Sequence, residues 1–418
     1  LAEQDRDATV KWNYVDLRFR SADSFRIEVV LDAEKLSVRF KGESSAIKSK
    51  LAYQNQRQFD KLNDCYSCGN TTCFKHPSKQ PEEKRGTITT FILDEKWPEF
   101  DRYVKSAATE QDHFIIPLKK GRFIKSDRYN WSIPSKNVSY TKFQGVYRAL
   151  KLRFAPKNKN NVFELMLQLD KKIALAAASH IPIDSTHLVI SQNLLPFVYQ
   201  TGALGGRTFD VLMTRLPLKT LHQNLDTAFL KHPESPTLKD FRASDELVSL
   251  ETQALTKARK IISPHTEIAA VFSNKIEKLN WHMKTAEPRQ IRGKRVLFPA
   301  SAVGRKGAYE MRALALELGL ELKIIGRSLE QENFWEGVDT ERFNGNFDTV
   351  DMIVYPAFVE NQPRQILRAI SEGVPVITTT ACGISDMSGV KTVEPDNFEG
   401  LRAEVIRCIG SDCTVGVN

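Results

Sequence analysis

The sequence predicts an α/β protein of two domains whose parallel sheets face a central cleft. Three observations carry this. After residue 294, short apolar runs alternate with helical stretches, the pattern of a parallel sheet covered on both faces. The region before it closes in the same alternation. Between them KTAEPRQIRGKR, at 284–295, is polar and basic, which places a boundary between a first domain at 1–285 and a second at 286–418. A length of 418 residues suits two such units.

The elements follow in order. SFRIEVVL and KLSVRF alternate apolar and polar residues within 1–60 and read as strands. GTITTFILDEKWPEFDRYV reads as a buried strand, a loop and a helix. THLVISQNLLPFVYQTGALGGRTFDVLMTRLP reads as strand, helix, glycine-rich turn and strand. SDELVSLETQALTKARKIISPH reads as a long helix feeding a short strand. Beyond the boundary, RVLFPAS is a strand. RKGAYEMRALALELG is a helix, with Met311, Leu314, Ala315 and Leu318 on one stripe and Gly319 as its stop. LELKIIG and DMIVYPA are strands. PRQILRAISEG is a helix between Pro363 and Gly373, and VPVITT is the next strand.

Charge is unevenly spread. The net +9 hides a stretch at 101–172 with 16 Lys/Arg against 6 Asp/Glu, and one at 284–306 with 7 against 1. Residues 307–418 hold 9 basic and 18 acidic residues. A basic region beside an acidic domain fits a cleft that receives an anion, a basic arm, or a plain solvated face. No apolar run reaches the roughly 18–20 residues of a membrane helix. LAEQDRDATV has no apolar core of a signal peptide, so the expectation is a cytoplasmic protein, peripheral at the inner face of the membrane.

Cys65, Cys68 and Cys73 lie in DCYSCGNTTCFKHP, closed by His76, with spacing C-x2-C-x4-C-x2-H. Four such ligands within twelve residues suit a closed, structural tetrahedral zinc site in a small Cys/His insertion of the first domain. A redox-active cysteine cluster and an iron–sulfur site are the other readings. Cys382, Cys408 and Cys413 show no ligand pattern.

In an open parallel sheet, ligands bind beyond the carboxyl ends of the strands. Three of these ends are suggestive. After RVLFP come Ser301, Gly304, Arg305, Lys306 and Gly307, a cationic glycine turn at a helix start, suited to phosphate. After LELKII comes Gly326. After DMIVYPAFV come Glu360, Asn361, Gln362, Pro363 and Arg364. A carboxylate there would repel phosphate but accept hydrogen bonds from sugar hydroxyls. Together they suggest a nucleotide-sugar site, with diphosphate on the Arg305/Lys306 turn. Taken singly, the first is equally a solvated turn and Glu360–Asn361 equally a helix cap.

These stretches, LFPASAVGRKGAYEMRALALELGLELKIIG and VYPAFVENQPRQILRAISEGVPVITT, resemble the C-terminal domain of retaining group 1 glycosyltransferases of GT-B fold. Lys306-Gly307, Glu360, Ala369, Gly373, Pro375, Val376 and Ile377 match the family pattern. The resemblance covers 294–381 and runs weakly back to about 180. It implies two Rossmann-like domains and transfer of a sugar, with retention, from a nucleoside-diphosphate sugar held mainly by the second domain. It also implies that catalysis needs no bound metal. Arg305 and Lys306 would stabilise the leaving diphosphate, and Glu360 would hold sugar hydroxyls. Two positions depart from the family. Arg368 stands where a second Glu normally contacts the ribose, and Ser301 where an Arg is usual. Arg364 and Arg368, four apart, could together grip a phosphate.

The first domain is expected to hold the acceptor. Gly205, Gly206 and Arg207 in TGALGGR form either a loop approaching the donor or a plain turn. His265 either faces the cleft or caps a helix. Asp94 and Glu95 follow a buried strand and either face the cleft or start a helix. The acceptor is unidentified; the basic 101–172 region points to an anionic one, such as a glycan, a lipid phosphate or a protein. The rival reading is a catalytically degenerate GT-B protein that binds nucleic acid or another polyanion through the basic, aromatic-interleaved 117–160 stretch and the Cys/His cluster.

Overall fold

A computed structural model describes residues 88–410 apart from 121–126, 156–161, 183–184, 285 and 292, and the backbone of four strands between 10 and 41. Those four are β1 (Val10–Asn13), β2 (Leu17–Arg18), β3 (Ser24–Asp32) and β4 (Lys35–Lys41). All pair antiparallel on β3 and form a sheet of their own.

The second sheet is wholly parallel. It is built from β5 (Thr89–Ile92), α1 (Pro98–Ala107), β6 (His113–Ile116), β7 (Val138–Tyr140), α2 (Lys142–Arg153), α3 (Val162–Ala178) and β8 (His187–Ser191). It continues through α4 (Leu195–Gln200), β9 (Thr208–Leu212), α5 (Leu218–Lys231), α6 (Asp245–Lys257), β10 (Lys260–Ser263), α7 (Thr266–Val271) and β11 (Ile276–Lys278). Its strand order is β11-β10-β9-β8-β5-β6-β7. The chain starts in the middle, winds to one side, then returns and winds to the other. That reversal puts a topological switch point between β5 and β8.

The third sheet repeats the plan with β12 (Arg295–Phe298), α8 (Ala308–Leu318), β13 (Glu321–Ile324), β14 (Thr340–Arg342), β15 (Met352–Tyr355), α9 (Arg364–Ser371), β16 (Val376–Thr379), β17 (Val390–Val393) and α10 (Phe398–Gly410). Its order, β14-β13-β12-β15-β16-β17, is again parallel throughout, with a switch point between β12 and β15. The protein is therefore α/β with two parallel sheets. The strands β5, β8, β12, β15 and β16 are apolar runs because both faces are buried. Helix α8 ends at Gly319, whose φ of 57° is the left-handed stop the sequence announced.

Between β11 and β12 the chain runs through the polar 279–294 segment. Here the two units are joined by more than a linker. Trp97 stacks on Trp281, ring centroids 6.2 Å apart, and their core is continuous with that around Val296 and Phe298. Each large side chain so buried contributes roughly 1.5–3 kcal/mol. Arg364 of α9 lies over both tryptophans and donates to Glu99 of α1 at 2.7 and 2.6 Å. Glu99 also accepts from the His282 N–H at 2.7 Å. Burial pushes the Glu99 carboxyl up, but Arg364 and that N–H hold its pKa below the ordinary value.

Candidate functional site

The switch point of the third sheet collects most of the residues singled out from sequence. Gly304, Arg305 and Lys306 form a single 3-10 turn after β12, and Gly307 opens α8. Gly307 has φ 75°, and a Cβ there would lie 2.0 Å from the Pro356 carbonyl oxygen, so only glycine fits beside the chain leaving β15. That close approach brings Lys306 to Glu360. Lys306 Nζ donates to Glu360 Oε2 at 2.8 Å and to the Val359 carbonyl at 3.0 Å. Tyr355 OH and the Gln362 N–H also donate to Glu360, at 2.6 and 2.8 Å. Burial raises the Glu360 pKa, and Lys306, Tyr355 and Gln362 outweigh it and hold the carboxylate ionised below its usual range.

Arg305 is partly buried, lies over the Phe241 ring at 4.8 Å, and forms no ion pair with any described residue. Burial lowers its pKa, against Tyr355, Glu360, Asp240 and Glu330 nearby. Phe241 itself has φ 69°, an uncommon backbone state for an aromatic residue. An unmatched guanidinium in partial burial is a place for an anion.

The Gly304 N–H, which the sequence reading gave to a phosphate, donates instead to Glu330 Oε1 at 2.5 Å and to Thr237 Oγ1 at 3.0 Å. The Glu330 carboxylate also accepts from Ser235 at 2.8 Å, Tyr309 at 2.9 Å and Thr237. Ser235 and Thr237 follow α5, so this carboxylate ties the first unit to the second. Leu238, fully buried, lies where a Cβ on Gly304 would meet it at 2.7 Å.

Ser301 and Gly326 are neighbours, since a Cβ on Gly326 would meet Ser301 Oγ at 2.2 Å. Asn361 and Gln362 turn toward the first unit and line a cavity there. Pro363 precedes α9 as expected. Arg364 and Arg368 do not converge. Arg364 is committed to Glu99, while Arg368 is exposed over Phe347 at 5.4 Å. One helix face is too coarse a criterion, because long side chains four apart can still leave in different directions.

In the first unit, His265 sits between β10 and α7, buried against the second. Its Nε2 lies 3.2 Å from the Ala381 carbonyl, and a Cβ on Gly383 would meet the ring at 2.2 Å. Burial drives its pKa down to about 4, so the ring is neutral, and Nδ1 has no described partner. Gly205, Gly206 and Arg207 do not reach the cleft. They precede β9, at the amino ends of the strands, and Arg207 donates to the carbonyls of Ser185, Ala203 and Pro182. In a parallel sheet that is the end opposite the crevice. Cys65, Cys68, Cys73 and His76 lie outside the described residues. Among the described residues no three His, Cys, Asp or Glu side chains are grouped to hold a metal.

The sequence reading missed Arg148 and Asp170. They meet Asp94 and Asn193 in a buried cluster at the switch point between β5 and β8. A signal existed. Asp170 shares a stripe with Ile173, Ala174 and Ala177 in α3, and Arg148 lies one turn from the buried Gly145 in α2. A charge on an otherwise apolar stripe must have a partner.

No family model matches the chain, and no curated protein is similar to it at a significant level. Solved structures similar to it include the catalytic domain of starch synthase IV from Arabidopsis thaliana bound to ADP and acarbose. That match has 11% identity and a TM-score of 0.42, and covers 78% of this chain and 92% of that one. The calicheamicin glycosyltransferase CalG4 is similar at 9% identity and TM-score 0.37, covering 79% and 92%. TarM is similar at 12% identity and TM-score 0.38, covering 55% of this chain and 49% of TarM, so the match spans about half of that protein's length. Likenesses this distant carry no assignment of activity, which rests on the chain's own geometry.

Proposed function

We propose that this protein is a GT-B glycosyltransferase that moves a sugar from a nucleoside-diphosphate sugar to an acceptor hydroxyl. The observation that carries the reading is the meeting of the Gly304–Gly307 turn with Glu360 at the switch point of the third sheet, with Lys306 Nζ 2.8 Å from Glu360. Arg305, which pairs with no described residue, and Lys306 supply positive charge for a leaving diphosphate, and Glu360 supplies an acceptor for sugar hydroxyls.

In the reaction the bond from the anomeric carbon to the diphosphate oxygen breaks. A bond to the acceptor oxygen forms, and the acceptor hydroxyl passes its proton to the departing diphosphate oxygen. Retention follows if the acceptor approaches on the leaving-group face. No bound metal has a part in this scheme. A structural zinc on Cys65, Cys68, Cys73 and His76 stands apart from the chemistry, and elemental analysis should find about one per chain.

The basic region supports peripheral attachment to an anionic membrane at the cytoplasmic face. Helix α2 exposes Phe143 at 79% and, with Phe154 just beyond it at 77%, forms a stripe with Val146 and Leu150, among Lys142, Lys151 and Arg153. Among the described residues no helix is long and apolar enough to cross a membrane.

The test is release of nucleoside diphosphate from a panel of nucleotide sugars. At least one donor should turn over slowly with water as acceptor. Lys306→Ala should lower the rate by about 10²–10³-fold with folding intact. No turnover and no thermal shift with any donor would end the reading, and salt-dependent oligonucleotide binding in its place would favour the polyanion-binding alternative.

A further inference from the structure

The carboxyl ends of β5 and β8 part at the switch point of the second sheet, and a cavity of about 240 Å3 opens there. Asp94 follows β5, Asn193 follows β8, Arg148 comes from α2 and Asp170 from α3. Arg148 donates to Asp94 at 2.9 Å through Nη1, to Asp170 at 2.7 Å, and to the Tyr129 hydroxyl at 2.6 Å. Asn193 donates to Asp94 at 2.6 Å and to Asp170 at 3.1 Å. Trp97, Phe163, Phe197 and Phe241 form apolar walls. Asn361 and Gln362, directly after Glu360, line the same cavity, so it reaches the proposed donor loop.

Charge decides what fits. Two buried carboxylates share one guanidinium, which leaves one negative charge in excess. The other lining arginines are taken, Arg215 by Glu251 at 2.7 Å and Arg128 by Glu95 at 3.2 Å. Among the described residues, an anion would therefore meet carboxylates and no unmatched cation. What the cavity offers is acceptor capacity. Each Asp170 oxygen accepts one protein hydrogen bond and has room for about one more. A hydroxyl can donate to these oxygens while the ring that bears it packs on the apolar walls. The volume is below the roughly 300–1,000 Å3 of sites for drug-sized ligands, which suits a single ring.

We propose that this cavity is the acceptor site and takes a neutral hydroxyl-bearing ring, a single sugar residue, with one hydroxyl donating to Asp170. The proposal rests on the glycosyltransferase reading and selects against the anionic acceptor expected from the basic sequence region. Burial and the Asp94 carboxylate push the Asp170 pKa up to about 6, a group in want of a hydrogen on its oxygens.

The test titrates methyl glucoside, galactoside and mannoside, and the corresponding hexose 6-phosphates, against the full chain with and without nucleoside diphosphate. Saturation-transfer NMR reads the sugar, and calorimetry reads the nucleotide. At least one neutral glycoside should saturate, hexose 6-phosphates should bind at least tenfold more weakly, and Asp170→Asn should cost the glycoside about tenfold while leaving nucleotide affinity unchanged. Phe163→Ala, on the apolar wall, is the second variant and should weaken the glycoside likewise. Nucleotide binding without glycoside binding, preference for the phosphate, saturation by primary amines only, or glycoside binding indifferent to both variants overturns the proposal. Absence of nucleotide binding instead counts against the donor reading, and the glycoside titration still judges the cavity.

Discussion

At the switch point of the second sheet, Asp94 and Asp170 share Arg148 and leave a carboxylate unbalanced. At that of the third, Glu360 is matched by Lys306, and Arg305 has no acidic partner among the described residues. Both sheets are wound in the same way, so backbone topology offers the same crevice twice. The side chains that fill each crevice then give the two opposite residual charges. Equal folds do not imply equal ligands; the leftover charge after internal pairing says which ligand each can take.

Substitutions that break this contrast differ in size. The largest effect on stability is expected from Arg148→Met, which strands two buried carboxylates and should cost about 3–5 kcal/mol in chemical denaturation. Lys306→Ala, in a pair with the ammonium side chain 20% exposed, should cost about 1 kcal/mol by the same measurement, although its effect on turnover is large. Equal losses would mean that the two crevices are not energetically distinct.

Glu330→Ala removes the acceptor of the Gly304 N–H and of three hydroxyls, and should cost about 1–3 kcal/mol. It should also loosen the 232–243 segment, read as faster amide hydrogen exchange there. Unchanged exchange would show that Leu238 packing alone holds the segment.

Asp170 makes a pH prediction. Its folded pKa of about 6 lies above the ordinary 3.8, so the folded chain keeps the proton longer than the unfolded one. Stability from this group is therefore complete below about pH 4 and falls as pH rises through 6. Asp170→Asn should flatten that part of the Tm–pH curve and gain roughly 1–3 kcal/mol at pH 7. A curve that keeps its slope in the variant assigns the proton elsewhere.

The smallest effect concerns neither crevice. Phe143→Ser with Leu150→Ser should leave unfolding stability within about 1 kcal/mol of the parent, because both side chains are exposed. It should lower co-sedimentation with anionic vesicles by about threefold to tenfold. Full retention on vesicles would sever α2 from membrane attachment.

Much of the fold could be read in advance. The strands at 89–92, 187–191, 295–298, 352–355 and 376–379 announce themselves as short apolar runs, because a parallel sheet buried on both faces needs them. The edge strands β14 and β17 did not, since Thr340–Arg342 is exposed and Val390–Val393 is mostly half-buried, so neither needs an apolar run. Helices α2 and α3 were hidden by their charges. The basic residues of the 117–160 stretch read as a surface, yet Arg148 points inward and serves the core of the N-terminal crevice.

Local sequence determined the alternation of strands and helices, the left-handed stop at Gly319, and the turn bearing Arg305 and Lys306. These depend on propensity, backbone sterics and short-range order along the chain. Only the tertiary structure decided that Arg364 belongs to Glu99, that Glu330 holds the Gly304 N–H, and that Asp170 shares Arg148 with Asp94. Those partners lie 265, 26, 22 and 54 residues apart along the chain. Whether a charge is spent on a neighbour or left for a ligand depends on burial and pairing in space, which no local pattern encodes.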